Sequence, residues 1–212
     1  ATLLAGDGRP MHKSWGNMIE FNEAADRMGV DVMRWVFFAH KPENDLLFSY
    51  DRADEVRRQF LLPLWNVYSF FVTYANIDGW TPDRSAPSDS PLDRWIVARL
   101  NQVVRGCTSA LESYDSFSTT HIVGAFLGDL TNWYVRRSRP RFWKSEQNED
   151  KNAAYSTLYH VLTTLVRVLA PLTPFVAEVM YQNLVRQVDT RAPESVHHCY
   201  WPEVDADVID EE

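Results

Sequence analysis

The sequence predicts a mainly α-helical protein: an up-and-down bundle of four or five long helices behind a loop-and-short-helix segment over residues 1–48. Three observations carry this. Apolar residues recur at spacings of three and four along most of the chain, the period of an amphipathic helix. Clusters of Pro, Gly and Ser cut that pattern into segments of bundle-helix length. No period of 20 to 50 residues repeats, so a solenoid is excluded.

Taken in order, residues 1–18 read as loop from their glycine and proline content. Residues 22–28 form a short helix ended by Gly29, and Asp31 is the expected N-cap of a second, 32–39. Pro42 and Asn44 break the pattern. A long helix follows over 51–76, with Val56, Phe60, Leu64, Val67 and Phe71 inward; Pro63 should kink it. Residues 78–91 hold three prolines and three serines and read as a linker or long surface loop. Helix resumes over 92–112, with Trp95, Leu100 and Val103 inward. A Ser/Thr-rich turn at 116–120 leads into a helix over 121–143, which Pro140 should end or bend near Arg139. Asp150 or Asn152 starts the next helix, which runs to Ala170. "APLTP" at 170–174 is a sharp break, 175–188 a last helix, and "SVHHCYWP" at 195–202 an extended closing segment.

With 212 residues the chain has material for one or two domains and a full core. Cys107 and Cys199 give neither a disulfide framework nor paired zinc spacing, so a reducing, cytoplasmic setting is the default expectation. No apolar run approaches the roughly 18 residues of a membrane span, and no secretory signal is recognisable. The first residue is Ala, as expected of a piece cut from a longer protein. The net charge of −8 argues at first against a nucleic-acid partner. Six acids, however, fall in the stretch 203–212, read as a solvated acidic tail or the start of a next domain; the other 202 residues carry 21 basic and 23 acidic side chains, a net −2. Arg136, Arg137, Arg139, Arg141 and Lys144 then form a local basic cluster with no acid among them.

Two stretches carry chemistry. In "DGRPMHKSWGN", residues 7–17, Gly8 and Gly16 let backbone approach a ligand. Lys13 supplies a mobile charge and Ser14 a hydroxyl and an amide, a composition suited to phosphate. A solvated lysine in a surface turn has the same spacing, and no Walker loop is present. In "LTNWYVRRSRPRFW", residues 130–143, Ile122, Phe126, Leu130, Trp133 and Arg137 share one helical stripe, and Asn132, Arg136 and Arg139 another. Guanidinium groups bind phosphate bidentately and stack on bases, and aromatic rings add stacking, which suits single-stranded RNA loops. Trp133 itself reads as core. His197, His198 and Cys199 do not make a metal site, since neighbours on an extended segment point apart; no metal ligand is assigned. His121, Asp129 and Glu178 are lone groups without an identifiable partner.

"GRPMHKSWGN" resembles the second signature loop of class I aminoacyl-tRNA synthetases, matching at Met11, Lys13, Ser14, Gly16 and Asn17. It departs at Pro10, where the family has its first lysine, at His12, where it has serine, and at Trp15. "NWYVRRSR" with "RFW" resembles the isoleucyl branch, with Pro140 in place of a more usual arginine. "LDRWIVARLN", "LAPLTPFVAEVMYQNL" and "SVHHCYWP" resemble the anticodon-binding helical bundle of that subclass, in the expected order.

The resemblance implies a piece of a ligase. Residues 1–48 would end the catalytic domain and touch the inner corner of the tRNA, 49–202 would be the anticodon-binding bundle, and 203–212 a tail. Lys13 would stabilise the charge building on pyrophosphate during ATP-dependent activation, with Met11, His12, Ser14, Gly16 and Asn17 shaping the loop that closes over ATP. Asn132, Trp133, Arg136, Arg137, Arg139, Arg141 and Trp143 would serve tRNA. ATP and magnesium belong to the whole enzyme, with neither expected bound to this piece. The expected partners are tRNA and the rest of the synthetase, not DNA and not a membrane. A valyl or leucyl relative, or a helical protein-interaction module without RNA, stands as the alternative.

Overall fold

The structure is a computed structural model that describes residues 2–82, 88, 90–144 and 148–205. Helices dominate it. After a two-residue strand, β1 (Leu3–Leu4), come α1 (Phe21–Met28) and α2 (Val30–Phe38). β2 (Leu46–Leu47) lies parallel to β1, with Leu3 opposite Leu46, a pairing the sequence pattern did not announce. The bundle follows: α3 (Tyr50–Val56), α4 (Leu62–Asp78), α5 (Pro91–Glu112), α6 (Ser116–Gly128), α7 (Arg136–Trp143), α8 (Glu149–Leu169) and α9 (Pro174–Tyr181).

Helix α8 is the axis of the bundle and packs against α4, α5, α7 and α9. Its Ala154, Tyr155, Leu158, Val161, Leu162, Leu165, Val166 and Leu169 are all buried, too many for one stripe, as befits a helix covered on several sides. The core does not stop at residue 48. Trp35 of α2 stacks on Phe60 with ring centroids 3.6 Å apart. Arg34 donates to the carbonyls of Pro171 and Leu172, and Arg57 to those of Arg27 and Met28.

Several local expectations are corrected by tertiary contacts. The helix containing Pro63 is not simply kinked. A wide π-helical turn, Arg57–Leu61, precedes α4, and the Leu62 amide reaches back to the Arg57 carbonyl; this takes up the steric conflict between the proline ring and the preceding turn. Asp31 does not cap its own helix. Gly29, at φ +84°, holds that place, and the Asp31 carboxylate instead accepts the Phe175 and Val176 amides at the start of α9. Residues 116–120 are the first turn of α6, not a turn before it, because Asp115 accepts the Ser118 amide. Asn148, not Asp150 or Asn152, caps α8. Trp95 is only half-buried. The helix expected over 175–188 is α9 followed by another wide turn, Gln182–Arg186, and the closing segment begins with a short 3-10 turn, Val196–His198.

Pro140 does not end the helix near Arg139: α7 continues through it to Trp143, so residues 141–143 are helical. Beyond the proline, Phe142 is buried between Phe70 and Tyr155, and Arg141 is held by carboxylates on two other helices. That packing outweighs the one backbone bond a proline removes. Asp207, Asp210, Glu211 and Glu212 of the expected acidic tail lie outside the described residues.

Candidate nucleic-acid interface and signature loop

The loop at 7–17 stands on a built pedestal. The Met11 amide donates to the Leu3 carbonyl at 3.1 Å, and Ala5 to Arg9 at 2.8 Å, so the loop hangs from the β1–β2 pair. Asn17 ties its two ends: its Oδ1 accepts the His12 amide at 2.9 Å, and its Nδ2 donates to the Pro10 carbonyl at 3.0 Å. Lys13–Trp15 is a single 3-10 turn closed by Gly16 at φ +69°, a conformation costly for any side chain with a Cβ. His12 rests on Trp15, ring centroids 4.4 Å apart. Lys13 and Ser14 are left exposed on the outside of the turn, and Lys13 makes no ion pair among the described residues. A free amine on a fixed turn can meet an anion without first breaking a bond.

The second site begins with a wide turn. Residues Asp129–Val135 wind with π geometry, so Tyr134, not Trp133, falls below Leu130 on the inward face; both Leu130 and Tyr134 are fully buried. Trp133 is thereby turned outward and is 52% exposed, contrary to the core position its helical stripe suggested. The Arg137 guanidinium lies 4.8 Å over the Trp133 ring, and that of Arg139 is 6.0 Å from the centroid of Phe70 on α4. Asn132, Arg136, Arg137, Arg139 and Trp143 are all exposed. Arg136, Arg137 and Arg139 have no carboxylate partner among the described residues.

Arg141 does not belong to that surface. Its side chain is 12% exposed, and Nη1 and Nη2 donate to the two carboxylate oxygens of Asp93 at 2.7 and 2.8 Å. Its Nε lies 2.8 Å from Asp150, within ion-pairing distance but outside hydrogen-bond angles. Burial works against the charge, yet the Asp93 bonds outweigh it and hold the guanidinium above its ordinary pKa. Arg141 is therefore a buried cross-link, and Lys144 leans toward the same Asp150 at 3.9 Å. Phe70 escaped sequence reasoning because only the packing of α4 against the helix bearing Arg139 makes it a neighbour. Asp93 did leave a signal: it shares the inward register of Ile96, Leu100, Val103 and Cys107, and a carboxylate on that stripe demands a buried base.

Comparison with known proteins fits this geometry. The family described as "Anticodon-binding domain of tRNA ligase" matches residues 93–212, more than half of the chain. The chain belongs to that family. This anticodon-binding domain is similar over 99% of its length to the isoleucine–tRNA ligase of Dehalococcoides mccartyi, at 51% identity, and to that of Thermus thermophilus, at 43%. It spans only about a fifth of those relatives, 21% and 20% of their lengths. Its fold is that of a leucyl-tRNA synthetase from Agrobacterium radiobacter, solved as a ternary complex with tRNA (TM-score 0.75, 16% identity, 99% of this chain, 24% of that one). It is also that of a Mycobacterium tuberculosis methionyl-tRNA synthetase solved with methionyl-adenylate (TM-score 0.70, 19% identity, 92% of this chain, 40% of that one). No helix among the described residues is long and apolar enough to cross a membrane.

Proposed function

We propose that this chain is the tRNA-gripping part of an isoleucine–tRNA ligase, acting in the cytoplasm, and that it contributes the loop that closes over ATP. The observation that carries the reading is the face formed by Arg136, Arg137 and Arg139 with Trp133 and Trp143: exposed guanidiniums without carboxylate partners among the described residues, set beside exposed indoles. Such a face neutralises phosphates and offers stacking surfaces to unpaired bases. In this reading residues 1–48 complete the catalytic domain and the inner-corner contact, 49–202 bind the anticodon arm, and 203–212 form a tail. The similarity to isoleucine enzymes over nearly the whole chain favours isoleucine over valine or leucine.

Lys13 would meet the phosphates of ATP and stabilise the charge that develops on the departing pyrophosphate. The residues present suit that role, since the amine is exposed, without an ion-pair partner among the described residues, on a turn that Asn17 and Gly16 hold in shape. Magnesium would travel with the ATP phosphates. Among the described residues no group of three His, Cys, Asp or Glu side chains gathers to hold a metal, and these residues supply no step through one. The catalytic reaction needs the remainder of the synthetase, and the chain alone should not support isoleucine-dependent pyrophosphate exchange.

A filter-binding titration with tRNA at several salt concentrations tests the reading. Replacing Arg136 and Arg137 with Ala should flatten the plot of log K against log salt by roughly 0.7–0.9 for each phosphate no longer neutralised. A slope equal to that of the parent chain removes the face from the interface. Equal binding to isoleucine, valine and leucine tRNAs would remove the specificity, and no binding at all would favour a protein-interaction module.

A further inference from the structure

Helix α7 has one weak point before it and one within it. Upstream of it is the wide turn Asp129–Val135. Within it, Pro140 has no amide to bond the Arg136 carbonyl. A helix so interrupted takes its direction from what holds it to its neighbours. Its outward residues supply little hold, because Arg136, Arg137 and Arg139 reach into solvent. On the inward side, Ser138 is fully buried with no hydrogen-bond partner for its hydroxyl among the described residues, and Phe142 packs through ring contacts. Among the described side chains of α7, Arg141 makes the bonds that fix both place and rotation.

Its main partner, Asp93, is 1% exposed on the first turn of α5. That one carboxylate also accepts the Tyr134 hydroxyl at 2.8 Å. Tyr134 and Arg141 bracket the stretch that carries Arg136, Arg137 and Arg139, one before it and one after. Asp93 therefore grips both ends of the arginine face, with Asp150 of α8 adding a second hold on Arg141. Stability gives little reason for the arrangement, since a buried ion pair is often matched or exceeded by apolar residues of similar volume. We infer that Asp93 is a positioning residue for the arginine face: through Tyr134 and Arg141 it fixes the direction in which α7 presents Arg136, Arg137 and Arg139. The inference rests on the RNA-binding reading above and deepens it.

The test replaces the network by apolar groups, Asp93→Leu with Tyr134→Phe and Arg141→Met. It is made in the parent chain and in a chain already carrying Arg136→Ala, Arg137→Ala and Arg139→Ala. Thermal melts followed by circular dichroism check folding, and filter binding with tRNA across salt concentrations reads function. In the parent chain the apolar replacement should keep helix content, weaken binding about tenfold at low salt and lower the salt slope by about two. In the arginine-stripped chain it should change nothing further. A parental slope, a slope lower by only about one (Arg141 itself on a phosphate), or equal weakening in both backgrounds overturns the positioning role. A stripped chain that binds like the parent overturns the RNA reading itself. Should the apolar chain fail to fold, Arg141→Lys keeps the charge and loses the fork. It should then lower the slope by more than one, and a parental slope overturns the inference.

Discussion

Lys151 is a lysine at 1% exposure, and its removal is a sharp test of how the bundle end is held. Its Nζ lies 2.6 Å from Asp78 and donates to the Lys144 carbonyl at 2.7 Å, while the Tyr155 hydroxyl donates to the same Asp78 oxygen. Lys151→Met keeps the stem and deletes the charge. Breaking a buried pair costs about 3–5 kcal/mol. Asp78 is 16% exposed and keeps Tyr155, so the lower end applies, about 3 kcal/mol. For a chain of this size that is roughly 6–12 °C in Tm at about 2–4 °C per kcal/mol. The pH dependence has a fixed sign. Burial pushes the Asp78 pKa up, but Lys151 and Tyr155 outweigh it and hold the carboxyl below its ordinary value of 3.8. A carboxylate depressed in the folded state stabilises above the unfolded pKa and loses that contribution as pH falls through the folded one. The gap between parent and variant should therefore be full at pH 7 and narrow once the pH drops below about 4. Urea and thermal unfolding by circular dichroism at pH 7 and pH 3 would read it. A loss under about 1 kcal/mol at pH 7, or a gap that stays constant on acidification, refutes the reasoning.

Three further outcomes are expected. Tyr114, at φ 58° and 96% exposed, holds a left-handed position after α5 that favours glycine. Tyr114→Gly should raise stability by about 0.5–1 kcal/mol, the relief of about 1–2 less the entropy glycine gives back, and a lower urea midpoint would contradict this. Asp31→Ala should cost about 1 kcal/mol by uncapping α9, while Asp31→Asn, with a single acceptor oxygen, keeps one of the two amide bonds. Burial drives the Asp31 pKa up despite the two amide bonds, so the neutral amide, relieved of a half-buried charge and keeping one bond, should melt above Asp31→Ala; a melt at or below that of the alanine variant would contradict this. The Cys107 thiol is fully buried and pushed up to about 12. A disulfide exchange reagent at pH 8 should accordingly label Cys199 but not Cys107 in the folded chain, and both in denaturant; two thiols titrated natively would show that the core opens.

Much of the fold was legible in the spacing of apolar residues. The helices expected over 22–28, 92–112 and from Asp150 or Asn152 to Ala170 are found at 21–28, 91–112 and 149–169, because apolar spacing and the residues that start and stop a helix are written locally in the chain. Caps were legible in residue type but not in partner. Asp31 is an N-cap residue by chemistry, yet it caps α9, 144 residues away. Trp133 could not be placed from its stripe, because the π turn that rotates it outward depends on how Leu130 and Tyr134 pack. Arg141 looked like its exposed neighbours, and only the contact with α5 distinguishes it.

Periodicity, punctuation and local charge, read along one dimension, determined that this chain is helical, where its breaks fall, and that a lysine loop and an arginine-rich helix are its chemical features. Those properties depend on residues near one another in the chain. Which arginines face solvent, which one is spent as a cross-link, and which way Lys13 projects were decided only when distant segments met. The energy of a buried charge depends on the group that arrives opposite it, and for Arg141 that group lies 48 positions away.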